Sequence, residues 1–444
     1  MINIFGTAGI RAQVGQSPLT LSEIIKLGQA VGQFIINKHG IHAKVLIAND
    51  TRVSSDWIKA TFKAGLLQFP VLVEDGQILS TPAIYNLITN QKLYQYGIMI
   101  TASHNPYQDN GIKLISQEDG NLTLAEELQI TELFYAPSPT PDCTNLGRET
   151  NQYKSSSNSA AQAYLKFMTA LIKFKQPLNE LIIWDCANGA TSDLVPQVLN
   201  HLGANYLIIN HQPTGQNINH NCGSTHPESL QATVQTHSAR LGFALDGDGD
   251  RITVVTADGK VKDGDDLIAF LSTNSEYQTE TNLVGTIISN YGLELWLQAQ
   301  NKKLIRSNVG EKYISQELLA NQSQIGGEPS GHIILRNLAN SSDGLLVALK
   351  ILETAYLTNN WSLQTFTRTP TINADIAIKN KLNLSNRPFI DLINNYQKLI
   401  TPGRLVIRYS GTENYLRILL EGSDSEQLQR VLTQIKTELV PLLS

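Results

Sequence analysis

A chain of 444 residues with 34 Lys and Arg against 39 Asp and Glu carries a formal charge of −5, which excludes a nucleic-acid binder that relies on bulk positive charge. Charged residues make up only 16% and hydrophobic ones 41%, but Leu and Ile run through the whole length, so the low charge does not signal disorder. At roughly 100–200 residues per domain, the length allows two to four domains, each long enough to bury a core.

The predicted elements alternate between helix and strand. Thr20-Leu21-Ser22-Glu23 has the form of a capping box, and Ile24, Leu27, Val31 and Phe34-Ile35 behind it keep helical spacing. Residues 45–48 and 98–100 are short apolar runs separated by helical pattern, which points to a parallel sheet covered on both faces. The Pro-rich stretch 136–141 and the Ser/Asn-rich stretch 151–159 read as a connection between domains. Strand 181–184, helix 192–201 and strand 206–209 then make one βαβ unit. A third run opens with strand 252–256 and a turn at Asp258-Gly259, followed by strands 283–288 and 332–335 and a helix over 343–356. Beyond about Pro370 two strands, 404–409 and 415–420, flank a tight polar loop, and a final helix has Ser423 as its cap with Glu426 three residues on.

The expectation is an α/β protein of three similar α/β domains with mixed or parallel sheets, over 1–150, 151–252 and 253–368. A smaller α+β C-terminal domain covers 369–444, and no letter-by-letter repeat relates the first three. Cys143, Cys186 and Cys222 are odd in number and form no CxxC pair, which argues against a disulfide framework or a zinc ribbon. The N-terminus has no basic segment before an apolar one, and no apolar run approaches the ~18–20 residues of a membrane span. A reduced, cytoplasmic protein with no membrane partner and no nucleic-acid partner is expected.

Asp246-Gly247-Asp248-Gly249-Asp250-Arg251 follows the predicted strand 241–245, at the strand end where open α/β sheets place ligands. Three carboxylates at alternate positions repel one another. The glycines between them let the backbone turn all three toward one centre, where a hard cation offsets the repulsion. A calcium EF-hand needs Gly sixth and Glu twelfth, and those positions hold Arg251 and Ala257. Magnesium suits three carboxylates completed by an outside oxygen such as a phosphate, and Arg251 would face the same anion.

Thr101-Ala102-Ser103-His104-Asn105-Pro106 offers that oxygen, since Ser103 follows a predicted strand and precedes a turn set by Asn105-Pro106. The Ser-His pair suggests a hydrolase, but the GxSxG elbow is absent and adjacent residues rarely bond as nucleophile and base. Ser103 reads either as a turn serine or as the carrier of a phosphate ester held by the cation. Arg408-Tyr409-Ser410-Gly411-Thr412-Glu413-Asn414 combines a guanidinium fork, two hydroxyls and a glycine between two strands, as an anion cradle does, although an ordinary hairpin turn reads the same way. No P-loop or Rossmann fingerprint is present. Gly327-Glu328-Pro329-Ser330-Gly331-His332 sets an acid, a hydroxyl and an imidazole on a glycine-flexed loop suited to sugar hydroxyls, with a capping Glu328 and a buried His332 as the plain alternative.

Together these motifs resemble the α-D-phosphohexomutase superfamily in order and spacing over essentially the whole chain, and within it the bacterial phosphoglucosamine mutase family. Phe5-Gly6-Thr7-Ala8-Gly9-Ile10-Arg11 matches the superfamily's opening, 101–106 its phosphoserine loop, 246–251 its metal loop, 327–332 its sugar loop and 408–412 its phosphate loop. The narrower likeness rests on Asp185-Cys186-Ala187-Asn188-Gly189-Ala190-Thr191 and Cys222-Gly223-Ser224-Thr225-His226-Pro227-Glu228. Ala8 stands where that family usually has Asp, and Pro329 where Gln is usual; the second leaves the choice between amino sugar and plain hexose open.

The resemblance implies an isomerase with four domains around a central cleft, each offering one loop. Phosphorylated Ser103 would interconvert glucosamine 6-phosphate and glucosamine 1-phosphate through a sugar 1,6-bisphosphate, which also acts as activator, feeding UDP-N-acetylglucosamine and cell-wall synthesis. One Mg2+ per active site would sit on Asp246, Asp248, Asp250 and the Ser103 phosphate. Lys113 and Arg11 would serve proton transfer or charge support, with His104 and Arg251 assisting. Glu328, Ser330 and His332 would contact the sugar, with residues 310–312 as a further specificity loop. Arg408, Ser410, Gly411 and Thr412 would hold the phosphate that is not reacting. A hexosamine phosphate is thus the implied partner, and a homodimer the implied assembly. The rival readings are a phosphomannomutase or phosphoglucomutase, a metal-dependent sugar phosphatase that does not need Ser103, and a non-catalytic sugar-phosphate binder.

Overall fold

Alternate residues of the strand Lys44–Asn49 pack into different cores, Val45 and Ile47 on one side and Leu46 and Ala48 on the other. An unbroken apolar run does this because successive side chains point to opposite faces of a sheet and both faces are covered. The strand Tyr96–Ile100 repeats the pattern, with Ile98 and Ile100 in one core and Met99 in the other. The computed structural model describes residues 3–6, 9–138, 144–150, 159–171, 179–410 and 414–443. Most of the expected interdomain connection, at 139–141 and 151–158, lies outside the described residues, as does Cys143.

Among the described residues the chain forms four sheets. The first runs Ile10–Gln13, Asp109–Ser116, Tyr96–Ile100, Lys44–Asn49, Leu72–Ile78 and Arg148–Glu149, with Gly120–Asn121 added beside Asp109–Ser116. Its four inner and far strands are parallel, and Asp109–Ser116 is antiparallel to both neighbours, so the sheet is mixed. The second runs Val261–Lys262, Ile252–Thr256, Leu241–Leu245, Ile182–Asp185 and Tyr206–Ile209. Ile252–Thr256, read from the sequence as the opening of the third unit, is antiparallel to Leu241–Leu245. Residues 246–251 are therefore a hairpin loop inside the second sheet. The third sheet runs Lys303–Ser307, Asn282–Thr286, Ile325–Gly327 and Ile333–Leu335, and the fourth is antiparallel, Thr371–Ala377, Tyr415–Gly422 and Gly403–Tyr409.

One hydrophobic core joins the first three units, from Leu46 and Met99 through Trp184 and Phe243 to Leu283 and Leu352. The fourth keeps its own core around Ile418, Leu420, Leu432 and Ile435. The helix Leu21–His39 is capped as expected, Thr20 accepting from the Glu23 N–H. The final helix, Ser425–Gln434, is capped one residue later than expected, by Asp424, whose carboxylate accepts from the N–H groups of Glu426 and Gln427. The helix expected from 192 begins at Leu194, because Ser192 is tied into a turn by its bond to the Gly189 carbonyl. Cys186 and Cys222 are buried free thiols. No helix of the described residues is long and apolar enough to cross a membrane.

Candidate active site

Ser103 follows the strand Tyr96–Ile100, is 1% exposed, and holds a left-handed backbone at φ +53°. Left-handed geometry is uncommon for a residue with a side chain. Here it turns the hydroxyl so that Oγ donates to Asp246 Oδ2 at 2.8 Å and lies 3.3 Å from His104 Nδ1. The contact between neighbours that sequence reasoning discounted thus exists. Burial, together with the charges of Arg251 and Arg11, pushes the His104 imidazole down to about 4, so the ring is neutral near pH 7.

The 246–251 hairpin faces this hydroxyl. Ligand oxygens of Asp246, Asp248 and Asp250 lie within 4.8 Å of one another, and all three residues are buried. Gly247 allows the close approach, since a Cβ there would meet the Ser103 carbonyl oxygen at 2.8 Å. Asp248 Oδ2 accepts from Thr81 Oγ1 and Lys113 Nζ, both at 2.7 Å, and Asp250 Oδ2 accepts from Lys113 Nζ at 3.1 Å. Burial and the Asp250 and Asp248 charges push Asp246 well above the usual carboxylate range. For Asp250 burial opposes ionisation, but Lys113, His332 and Arg251 overrule it and hold the group well below that range. Asp248 Oδ1 and Asp250 Oδ1 are buried without a hydrogen-bond partner. Buried, mutually repelling oxygens with unused lone pairs are a donor set for a hard cation, so these residues fit magnesium.

A cavity of about 300 Å³ collects the other expected groups: Arg11, Lys113, Arg251, Glu328 and His332 line it with Ser103 and Asp250. Arg11 and Lys113 come from the paired strands Ile10–Gln13 and Asp109–Ser116. The sugar-loop candidates are coupled to each other, Ser330 Oγ donating to Glu328 Oε1 at 2.7 Å while Glu328 Oε2 has no partner. His332 sits 3.7 Å from Asp250 Oδ1 and 3.5 Å from Glu311 Oε2. Burial opposes its charge, yet Glu311 and then Asp250 raise the imidazole to about 10. Residues 310–312 line the same cavity.

The structure does not bring Arg408 into this cavity. It lines a second one, about 400 Å³, with Pro329, Arg368 and Arg417. Ser410 is buried, its N–H donating to the Tyr415 carbonyl at 2.9 Å; Gly411 and Thr412 lie outside the described residues. Sequence reasoning also missed Tyr85, Asn121 and Glu127, which complete the wall around Ser103, and Thr81 on Asp248. It missed the buried Asp50–Arg52 pair as well. The one signal for that pair was its place just after the strand Lys44–Asn49, the kind of strand end that also carries Ser103 and Asp246.

Comparison with known proteins accounts for the arrangement. The phosphoglucomutase/phosphomannomutase alpha/beta/alpha domains I, II and III match residues 3–139, 162–259 and 263–369, and the C-terminal domain of the same family matches 393–438. A phosphoglucosamine mutase of Psychrobacter arcticus is 37% identical, covering 95% of this chain and 96% of its own. The chain belongs to the phosphoglucomutase/phosphomannomutase family. Another relative, the phosphoglucosamine mutase of Pseudomonas aeruginosa, is 35% identical over 97% of this chain and 98% of its own. Among solved structures, a phosphoglucomutase/phosphomannomutase family protein from Burkholderia thailandensis superposes with a TM-score of 0.80 at 21% identity, covering 98% of this chain and 96% of that one. An Aspergillus fumigatus N-acetylphosphoglucosamine mutase, solved with GlcNAc-6P and magnesium, gives 0.68 at 16% identity, covering 99% and 96%. At these identities the structures establish the shared fold of this family.

Proposed function

We propose that this chain is a cytoplasmic isomerase that interconverts glucosamine 6-phosphate and glucosamine 1-phosphate, carrying a phosphoryl group on Ser103. The observation that carries the reading is the Ser103 hydroxyl, 2.8 Å from Asp246 and facing three clustered buried carboxylates. Relatives named phosphoglucosamine mutase, which align along nearly the whole chain, support the choice of sugar.

The 1-hydroxyl oxygen of glucosamine 6-phosphate attacks the phosphorus on Ser103, and the P–Oγ bond breaks. The hydroxyl proton ends on Ser103 Oγ, which then donates to Asp246 Oδ2 at 2.8 Å, with His104 Nδ1 3.3 Å away on the same oxygen. The resulting 1,6-bisphosphate turns, and its 6-phosphate returns to Ser103 by the reverse step. Such transfer depends on positioning and charge neutralisation more than on covalent chemistry by the protein. Mg2+, with Asp246, Asp248, Asp250 and the Ser103 phosphate as its ligands, supplies part of that neutralisation when bound. Lys113 supplies more: burial disfavours its ammonium, but Asp248 and Asp250 hold it protonated above the usual lysine range, so it lends charge and does not accept a proton. Arg11 and Arg251 add to the same field. Glu328 and Ser330 bind sugar hydroxyls, and Arg408 with Ser410, Gly411 and Thr412 holds the idle phosphate. A homodimer belongs to the same proposal and is checked by light scattering.

The deciding experiment compares kcat/KM for glucosamine 6-phosphate with those for mannose 1-phosphate and glucose 1-phosphate. The amino sugar is expected to lead. A better value for either plain hexose, in a chain with Pro329 in its sugar loop, would move the assignment to a phosphomannomutase or phosphoglucomutase. Release of inorganic phosphate without isomerisation would replace both with a phosphatase.

A further inference from the structure

Two donors from different units of the fold close on the same pair of carbonyl oxygens behind the reactive serine. Arg52 Nη2 donates to the Ser103 and Asn105 carbonyls, both at 2.8 Å. Asn219 Nδ2 donates to the same two, at 2.8 and 3.2 Å. Arg52 belongs to the first unit and is fully buried against Asp50, its Nε 2.8 Å from Asp50 Oδ2. Asn219 belongs to the second unit and is anchored there by its N–H on the Ala187 carbonyl at 3.0 Å.

The other side of Ser103 is held by the same acid. Thr101 Oγ1 donates to Asp50 Oδ2 at 2.7 Å and accepts the Ser103 N–H at 2.9 Å. Both peptide groups flanking the Ser103 Cα are therefore fixed, one through Thr101 and one through Arg52 and Asn219. A left-handed serine is strained, and it persists only where its surroundings over-determine it. These contacts do so. Asn219 is also wedged against the metal loop, since a Cβ on Gly247 would lie 2.7 Å from its Nδ2 and 2.8 Å from the Ser103 carbonyl oxygen. One amide thus meets both loops whose distance sets the chemistry.

We propose that Asn219 and the Asp50–Arg52 pair are positioning residues that hold Ser103 in its left-handed conformation, and so keep Oγ aimed at the aspartate cluster. The inference rests on the proposed phosphoserine mechanism. It adds that the geometry of the phosphoryl carrier is set jointly by two units, so the serine is correctly aimed only while Asn219 is seated on it.

The test is single-turnover transfer from the phosphoenzyme, prepared with glucose 1,6-bisphosphate, to glucosamine 6-phosphate. This rate constant does not depend on how much of a preparation is folded, so a purely structural role leaves it unchanged. A displacement of about 1 Å costs on the order of a hundredfold in rate. Asn219→Ala is expected to slow transfer by roughly ten- to a hundredfold, with the KM for glucosamine 6-phosphate within about twofold of the parent. Asn219→Asp, which sets a carboxylate against two carbonyl oxygens, should slow it at least as much. Arg52→Lys keeps a charge beside Asp50 but loses the fork, and should fall in the same range. Transfer within twofold of the parent in all three variants would overturn the proposal. A parent chain that bears no phosphate on Ser103 would instead overturn the mutase reading on which it rests.

Discussion

Lys113→Met separates the electrostatics of the carboxylate cluster from its shape. Lys113 Nζ lies 2.7 Å from Asp248 and 3.1 Å from Asp250, with side-chain exposures of 14%, 0% and 8% for the three. Removing one partner of a buried pair leaves an uncompensated charge, at a cost of about 3–5 kcal/mol. The carboxylates can relieve this by taking up protons or by binding a cation more tightly. At about 1.4 kcal/mol per tenfold, about 3–5 kcal/mol corresponds to roughly a hundredfold to several thousandfold in Mg2+ affinity, an upper range because protonation competes. The variant should therefore melt well below the parent in EDTA and recover more of the loss than the parent does when Mg2+ is added. Calorimetric titration with Mg2+ should show the tighter binding directly, while catalysis falls because the transferring group loses a nearby positive charge. Melting temperatures serve here in place of unfolding free energies, since a chain with several separate cores need not unfold in two states. Equal melting in EDTA and equal Mg2+ affinity in the two proteins would refute the argument.

Ser103→Ala should abolish isomerisation and the phosphorylated species in intact mass spectra, yet leave the circular dichroism spectrum unchanged, because the loop is gripped through the Ser103 backbone; residual mutase activity would exclude the mechanism. Arg408→Ala removes a charged hydrogen-bond donor worth about 1.5–3 kcal/mol, so kcat/KM should drop roughly ten- to a hundredfold, mainly through KM, without loss of fold. A drop confined to kcat would mean that Arg408 acts in the transfer step. For His104 the folded pKa, about 4, lies below its ordinary 6.5. Its contribution to stability is then complete above about pH 6.5 and is lost as pH falls toward 4. NMR of the labelled ring at pH 5.5 should find it neutral, and a midpoint near 6.5 would contradict the burial argument.

What could be read in the sequence was whatever is local. The 101–106, 246–251 and 327–332 loops each place their chemistry within six residues, the first two directly after an apolar strand, and the structure brings all three to one cavity. Contacts that bridge distant segments left no such trace. Asn219 reaches Ser103 across 116 positions and Arg52 across 51, and neither lies in a motif of its own chemistry. The Ser103–His104 contact was discounted because adjacent residues rarely bond as nucleophile and base, and nothing in the local sequence signals a φ of +53° at a serine. Ile252–Thr256 was given to the wrong unit for a related reason. A hairpin whose loop carries three aspartates looks like a boundary in one dimension and is a pair of neighbouring strands in three.

The separation of Arg408 from Ser103 bears on how one site could serve both ends of a substrate. The 327–332 loop borders both cavities, with Glu328 and His332 on the Ser103 side and Pro329 on the Arg408 side. It is pinned from behind, the Gly264 N–H donating to the Pro329 carbonyl at 3.1 Å, and a Cβ on Gly264 would strike the Glu328 carbonyl oxygen at 2.0 Å. On the proposed reading, a sugar with one phosphate at Ser103 and the other at Arg408 must lie across this fixed loop. The two phosphates can then exchange places while the ring is read by the same Glu328 and Ser330. Arg408, by contrast, stands on a unit with its own core, joined to the third unit by polar contacts: Arg404 on the Ser289 carbonyl at 2.9 Å, Glu421 on the Tyr291 N–H at 3.1 Å. A separate core behind a polar seam is what a hinge requires, because the seam can be remade in water while a shared apolar core cannot be opened cheaply. On the proposed reading, the loop that contacts the sugar stands on a unit sharing the large core and the loop that holds the idle phosphate on a unit with its own core, an arrangement suited to turning an intermediate without releasing it.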